Sequence, residues 1–337
     1  MEEIKKLPHN GYNVISTFSG CGGSSLGYKM AGYKVLWANE FIPAAQEVYK
    51  INHPDTILDT RDIRTVSGSD ILEAINMRPG ELDLFDGSPP CASFSTAGKR
   101  EDAWGKVKKY SDTVQRTDDL FYEYVRLITE IQPKVFVAEN VSGLVKGSAK
   151  GYFLDILSAL KSAGYRVSCK LLNSQWLGVP QARQRTIFIG VREDINIAPI
   201  HPDPFDYFYS INDAIDLSDE HPDMDISAFA TGKEWHKMKI GSTSDKYFSL
   251  KRPIPELPCP TITTKINSFA LATVVHPTQC RNFSISELKR LSSFPDDFII
   301  TGSYIQQVER IARAVPPVMM KQIARTIDDY ILSRINI

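Results

Sequence analysis

Cys91 lies in the segment Gly87-Ser-Pro-Pro-Cys-Ala-Ser-Phe-Ser95, directly after the short apolar run Leu82–Asp86. A cysteine thiolate is a nucleophile, and two prolines before it stiffen the backbone that aims it. The segment Val135-Phe-Val-Ala-Glu139-Asn140-Val141 repeats the pattern, with a carboxylate at the end of an apolar run. Open α/β sheets build their sites at the carboxyl ends of strands, so Cys91 and Glu139 are expected on one rim as nucleophile and proton donor. Gln181, Arg183 and Arg185 alternate ahead of Thr186–Gly190. On an early-starting strand they share one face, and two guanidiniums there would favour a thiolate and hold a phosphate or carbonyl oxygen. Phe18-Ser-Gly20-Cys-Gly22-Gly23 sits between an apolar run and a helical pattern. Its glycines allow close approach to the backbone, and a helix N-terminus favours negative charge. Glu40 closes the next apolar run, where an acid can bind ribose hydroxyls.

These residues need a scaffold, and the first half of the chain supplies one. Strands are expected at Asn13–Phe18, Lys34–Ala38, Leu82–Asp86, Lys134–Ala138, Tyr165–Leu172 and Thr186–Val191. Helices are expected at Ser24–Ala31, Pro43–Ile51 and Tyr152–Ala163, and at Asp118–Ile131 with Asp118 as N-cap. Phe121, Tyr124, Val125, Ile128 and Ile131 mark the buried face of that last helix. Such alternation implies an α/β fold, a mostly parallel sheet covered by helices. From about residue 196 to 280 the pattern breaks into Pro-, Asp- and aromatic-rich sequence with short runs at Cys259–Thr264 and Ser268–Val275. This reads as a second, smaller, irregular domain. Ser284 and Glu287 then form a capping-box pattern, and Pro316-Pro317 opens a last helix. The expected division is 1–195 plus 305–337, then 196–280, with 281–304 as hinge.

The 337 residues are 42% hydrophobic and 23% charged, and suit a globular protein rather than a disordered one. No apolar run approaches a membrane span, and the N-terminus lacks a signal-peptide core, so a cytoplasmic location is expected. Charge is balanced overall but not locally. Lys99–Arg116 holds six basic and three acidic residues, and Lys233–Lys265 seven and three, whereas His201–Ala228 holds eight acids and no Lys or Arg. The basic stretches suit phosphates. Lys246, Lys251 and Arg252, with Trp235, Tyr247 and Phe248 nearby, are the expected contacts in the second. Five cysteines without a C-x-x-C pair argue against a disulfide framework or a zinc cage, and no metal site is expected. Cys21 is read as packing near the ligand, and Cys169 and Cys280 as structural.

The ordered set resembles the cytosine-C5 DNA methyltransferase family, of the bacterial restriction-modification type, over nearly the whole chain. The motifs are the F-x-G-x-G-G loop, Glu40, Asp62-Ile63, Pro-Cys-x-x-Phe-Ser at 90–95, Glu-Asn-Val at 139–141 and Gln-x-Arg-x-Arg at 181–185. Pro260-Thr-Ile-Thr-Thr264, Arg281-x-x-Ser284-x-x-Glu287-x-x-Arg290 with Phe294-Pro295, and Ala314-Val-Pro-Pro317 follow. Two departures stand out. The first strand ends Ser16-Thr17-Phe18, where members commonly have an acid before the Phe. Ile311-Ala-Arg313 stands where members usually have Gly-Asn.

The resemblance implies a doubly wound, Rossmann-like sheet of S-adenosylmethionine-dependent methyltransferases with a target-recognition domain. It implies methyl transfer from S-adenosylmethionine to C5 of a flipped-out cytosine in a specific duplex DNA sequence, through a covalent bond from Cys91 to C6. Glu139 would act at N3, and Arg183 or Arg185 would steady the base. Phe18, Gly20, Gly22, Gly23, Glu40, Asp62, Ile63, Pro89, Leu120 and Val315 would hold the cofactor. Ser95, Lys99, Arg100 and Gln181 would meet DNA, with Gly98–Arg116 as the loop closing over the base. The expected partner is double-stranded DNA, with a restriction endonuclease acting separately, no membrane, a monomer, and association with the nucleoid. Three readings compete: a cytosine-C5 tRNA methyltransferase on the same fold, a non-catalytic DNA-binding relative, and a nicotinamide dehydrogenase. Intact Cys91, Glu139 and Arg183 disfavour the second, and the incomplete glycine fingerprint disfavours the third.

Overall fold

Short apolar strands alternate with amphipathic helices through the first half of the chain in a computed structural model. It describes residues 1–90, 108–110, 113–115, 119–145, 150–247, 250–264 and 273–335. The elements in order are α1 (Glu2–Lys5), β1 (Asn13–Thr17), α2 (Gly23–Met30), β2 (Lys34–Asn39), α3 (Pro43–Asn52), β3 (Ile57–Asp59), α4 (Gly68–Ile75) and β4 (Leu84–Gly87). The hairpin strands β5 (Lys108–Tyr110) and β6 (Thr113–Gln115) follow, then α5 (Leu120–Ile131), β7 (Val135–Val141), α6 (Lys150–Ser162), β8 (Tyr165–Asn173), β9 (Gln181–Ala182) and β10 (Gln184–Arg192). The remainder comprises α7 (Ile211–Ala214), α8 (Ala230–Trp235), β11 (Cys259–Pro260), α9 (Ile285–Leu291), α10 (Tyr304–Arg313) and α11 (Pro317–Tyr330). No helix among the described residues is long and apolar enough to cross a membrane.

The chain divides into two compact units. The larger holds residues 2–172, 184–203 and 320–337. Its seven-stranded sheet runs β3-β2-β1-β4-β7-β10-β8. The pairs from β3 to β7 are parallel, and β10 pairs antiparallel with β7. This is the mostly parallel α/β sheet expected from the alternation. Phe121, Tyr124, Leu127, Ile128 and Ile131 of α5 are buried in one cluster with Ile15, Trp37, Phe85, Phe136 and Phe188 of the strands. Gly164, with φ 92, follows α6 as a left-handed stop.

At the centre of this sheet, Gly87 lets an aromatic ring reach the backbone. A Cβ on Gly87 would run into the Tyr124 ring and lie 2.6 Å from Thr17 Oγ1. The room left by that missing Cβ lets the Tyr124 hydroxyl donate to the carbonyls of Val137, at 2.7 Å, and Phe85, at 3.3 Å. One side chain thus fastens β7 and β4 together just before the site.

The smaller unit holds Met1 and residues 173–183 and 204–319. One of its clusters gathers Ile211, Cys259, Ile262, Phe283, Leu288, Leu291, Val308 and Ile311, and another Ile226, Trp235, Met238, Leu250 and Val275. Residues 281–304, expected as a hinge, therefore pack within this unit, and so do 173–183 and 305–319. Ser284 caps α9 in the expected box with Glu287, and Glu287 also receives Arg281 in a buried bidentate pair, both bonds 2.8 Å. Burial alone would raise the Glu287 pKa; the Arg281 guanidinium and the Ser284 N–H hold it below the usual carboxylate value.

Local chemistry accounts for the mismatches. The run Cys259–Thr264 yields only two strand residues, because Pro258 and Pro260 donate no ladder hydrogen bonds. Val274 and Val275 form isolated bridges, and residues 268–272 lie outside the described set. Asp118 also lies outside it; α5 begins after Asp119, whose carboxylate pairs with Arg64 instead of capping the helix. Three helices not read in sequence, α4, α7 and α10, carry complete capping boxes, Ser67 with Asp70, Ser210 with Asp213 and Ser303 with Gln306.

Overpacking a core position costs about 1–3 kcal/mol. Gly87→Ala is therefore expected to lower stability by about that amount in denaturant unfolding, and Tyr124→Phe to cost less, because it removes only the hydroxyl's hydrogen bonds.

Candidate active site

Parallel register brings the ends of the central strands level. Thr17 pairs with Gly87, and Gly87 with Ala138. The chain beyond this level, Phe18 after β1, Ser88 after β4 and Glu139 in the last part of β7, therefore emerges along one edge of the larger unit.

After β1 the chain turns sharply. Phe18 takes a left-handed φ of 54°, Gly20 of 56° and Gly22 of 92°. Gly22 N-caps α2, and a Cβ there would collide with the buried His53 ring. At Gly20 a Cβ would meet nothing within 4 Å, so the loop leaves open space there. Glu40 locks this turn. Its two oxygens receive the N–H groups of Gly20 and Ile42, each at 2.7 Å, and Ser19 N donates to Asn39 O at 3.0 Å. The glycine loop and Glu40, singled out separately in sequence, thus form one unit.

Asp62 and Leu120 are joined by a residue that sequence reasoning missed. Asp62 caps the turn Ile63–Thr65, and Arg64 reaches both Asp62 at 3.1 Å and Asp119 at 2.7 Å. Ile63 and Leu120 are buried in one cluster, with Phe18 packed against it. Asp62 beside Arg64 is visible in the chain, but the bond to Asp119 spans 55 residues and leaves no local signal. Pro89 is buried, and its carbonyl accepts from Asn140 Nδ2 at 3.1 Å. That bond ties the segment after β4 to the end of β7.

Glu139 is 9% exposed, and Arg185 Nε donates to it at 2.7 Å. Burial pulls the Arg185 pKa down while Glu139 opposes the shift. The ion pair fixes a carboxylate at the strand end and supplies its counter-charge. Cys91, Ser95, Lys99 and Arg100 lie outside the described residues, as does most of Gly98–Arg116.

In the smaller unit, β9 pairs parallel with β11. Gln181 is buried, and its Nε2 donates to Ser292 Oγ at 3.0 Å. Arg183 is also buried, with Nη2 3.5 Å from the Arg313 carbonyl. The strand break at Arg183 separates these two residues from Arg185, so a continuous early strand does not form. Val315 is buried. Lys246 and Lys251 are exposed, the first 5.4 Å from the Tyr247 ring centroid. Arg252 is committed internally: its guanidinium lies 3.7 Å from the Trp235 ring centroid and donates to the carbonyls of Pro277 and Met238, both at 2.8 Å.

Comparison with known proteins gives this geometry its context. The family model described as C-5 cytosine-specific DNA methylase matches residues 12–329. The Type II methyltransferase M1.HphI of Haemophilus parahaemolyticus is 32% identical over 335 residues, covering 93% of this chain and 86% of its own. M.Sau96I of Staphylococcus aureus is 30% identical, covering 95% and 76%. Among solved structures, a prophage-encoded E. coli protein assigned as a DNA modification methyltransferase shares the fold. Its TM-score is 0.76 at 22% identity, over 95% of this chain and 99% of its own. Spodoptera frugiperda DNMT2 shares it with a TM-score of 0.67 at 17% identity, over 93% and 98%. The chain belongs to the C-5 cytosine-specific DNA methylase family and is a DNA cytosine-5-methyltransferase.

Proposed function

We propose that the protein methylates C5 of a flipped-out cytosine within a specific duplex DNA sequence, using S-adenosylmethionine and a transient bond from Cys91 to C6. The observation that carries this reading is the Glu139–Arg185 pair at the end of β7, with Asn140 bonded to Pro89 two residues before Cys91. The relatives named as Type II methyltransferases support a role in a restriction-modification system; we further propose that a nuclease acts separately and that the enzyme works as a monomer.

The residues on the loop side fit the cofactor. A glycine turn at the N-terminus of α2 suits a carboxylate, and the Glu40 carboxylate suits nucleoside hydroxyls. Phe18, Gly20, Gly22, Gly23, Glu40, Asp62, Ile63, Pro89, Leu120 and Val315 would hold S-adenosylmethionine, which when bound supplies an electrophilic methyl group. The protein's own residues handle the base. The cytosine must leave the duplex before any side chain can reach it. The Cys91 thiolate adds to C6 while Glu139 holds a proton at N3, so the ring electrons move toward C5. C5 takes the methyl group, a base then removes the C5 proton, and the electron pair expels Cys91. Arg185 keeps Glu139 in place, and Arg183 and Arg185 steady the base. Ser95, Lys99, Arg100 and Gln181 would serve DNA binding, together with Lys246 and Lys251 of the target-recognition segment 196–280.

Cys91→Ala is expected to abolish methyl transfer while cofactor binding and the melting temperature stay near wild type. Duplex DNA carrying 5-fluorocytosine at the target should give a denaturation-resistant adduct through Cys91. Cys259 lies fully buried, its thiol pushed up to about 12 by burial, so Cys259→Ala should keep most activity. Methylation of tRNA but not duplex DNA by the wild-type enzyme would overturn the substrate assignment.

Replacing Lys246 and Lys251 together with Ala should weaken DNA binding without changing cofactor affinity. The slope of log affinity against log salt should fall by about 0.9 for each phosphate that is no longer neutralised. Arg252 is left intact in this test because it holds Trp235.

Arg313 pairs with Glu309 one helical turn away, at 2.7 Å. Arg313→Asn should therefore change S-adenosylmethionine affinity by less than about tenfold, roughly 1.4 kcal/mol, as read by calorimetry.

A further inference from the structure

Asp86 is a fully buried carboxylate that the reaction outlined above does not use. It lies on β4, five residues before Cys91, and pairs in parallel register with Ser16 on β1. Ser16 Oγ donates to its Oδ2 at 2.8 Å, and the Tyr28 hydroxyl of α2 donates to its Oδ1 at 3.2 Å. Ser19 Oγ lies 3.1 Å from Ser16 Oγ and donates to the Ser16 carbonyl at 2.9 Å. A chain of hydrogen bonds thus runs from the glycine loop through β1 to Asp86, and a second arrives from the helix that the loop opens. Both end on one carboxylate. β1 itself carries no acid, and the neighbouring strand β4 supplies one at the register partner of Ser16.

We propose that Asp86 is a positioning residue for the cofactor site. Its carboxylate is the shared acceptor that holds the Phe18–Gly23 loop and α2 in binding geometry. The ionised carboxylate accepts both bonds with nothing left to donate; protonated, it carries an O–H that needs an acceptor of its own beside the Ser16 and Tyr28 hydroxyls, which weakens the arrangement. Among the described residues, no cation is among the groups that shift it. Around it stand Ser16 on β1, Tyr28 on α2, Tyr49 on α3, Tyr124 on α5 and, on β7, Glu139 with its partner Arg185 from β10. Burial raises the Asp86 pKa to about 7, opposed by Ser16 and Tyr28 and aided by Glu139. Cofactor affinity should therefore weaken as pH falls through about 7, where the carboxylate takes up its proton.

This inference rests on the S-adenosylmethionine reading, and the test separates the two. Binding of S-adenosylmethionine is measured by calorimetry from pH 6 to 8.5 for the wild type, Asp86→Asn, Asp86→Ser and the double exchange Ser16→Asp with Asp86→Ser. Absence of binding to the wild type would remove the cofactor reading itself. If the wild type binds, both single variants should lose at least about tenfold in affinity near pH 8, and Asp86→Asn should lose the bend near pH 7. The double exchange should return to within about threefold of wild type, because it keeps one acid and one serine in the same register pair. Wild-type affinity in Asp86→Ser would overturn the proposal. So would a double exchange that is unfolded or binds no better than Asp86→Ser.

Discussion

Parallel register at the centre of the sheet is the constraint on which the site depends. Thr17, Gly87 and Ala138 are neighbours across three strands, so the loops that follow have one common origin. Were β4 displaced by one residue, its side chains would exchange faces. Asp86 would leave Ser16 and Tyr28, and the room at Gly87 would no longer face Tyr124. The Tyr124 hydroxyl, bonded to carbonyls of both β4 and β7, opposes such a slip. Chemistry at the edge therefore relies on packing one turn below it.

Much of this was readable in the chain, and the rest fails for identifiable reasons. Strand ends at Thr17, Asn39 and Gly87 fall within one residue of their expected places because the apolar runs stop there, whereas β7 runs past the expected Ala138 through Glu139 and Asn140 to Val141, where β10 pairs with it. The buried face of α5 follows from its period. Contacts between distant segments are different: Arg64 with Asp119, Asn140 with Pro89 and Asp86 with Ser16 join residues 51 to 70 positions apart. Periodicity carries no information about such pairs. The irregular second half resists reading for another reason. Its strand β11 is shortened by proline, and the cluster around Trp235, Met238, Leu250 and Val275 is assembled mostly from loop residues.

The smaller unit shows how an irregular segment is held with only a two-stranded sheet, β9 with β11, among its described residues. The buried Arg281–Glu287 pair and the capping box at Ser284 fasten the start of α9, and Arg252 over Trp235 closes the neighbouring cluster. These anchors sit at fixed points, and the sequence between them is free to vary in length and charge. That freedom suits a segment whose surface would differ among enzymes with different targets.

The adjacency of Ser16 and Asp86 has a consequence for how such a sequence can drift over generations. Two acids at these positions would be like charges confined together out of water, and one of them would be forced to stay protonated. With no acid at either, the hydroxyls of Ser16 and Tyr28 would lose their shared acceptor. Both single-step intermediates between an acid on β1 and an acid on β4 are therefore disfavoured. Moving the acid from one strand to the other therefore calls for both exchanges together, although it is a shift of one strand spacing within the same fold.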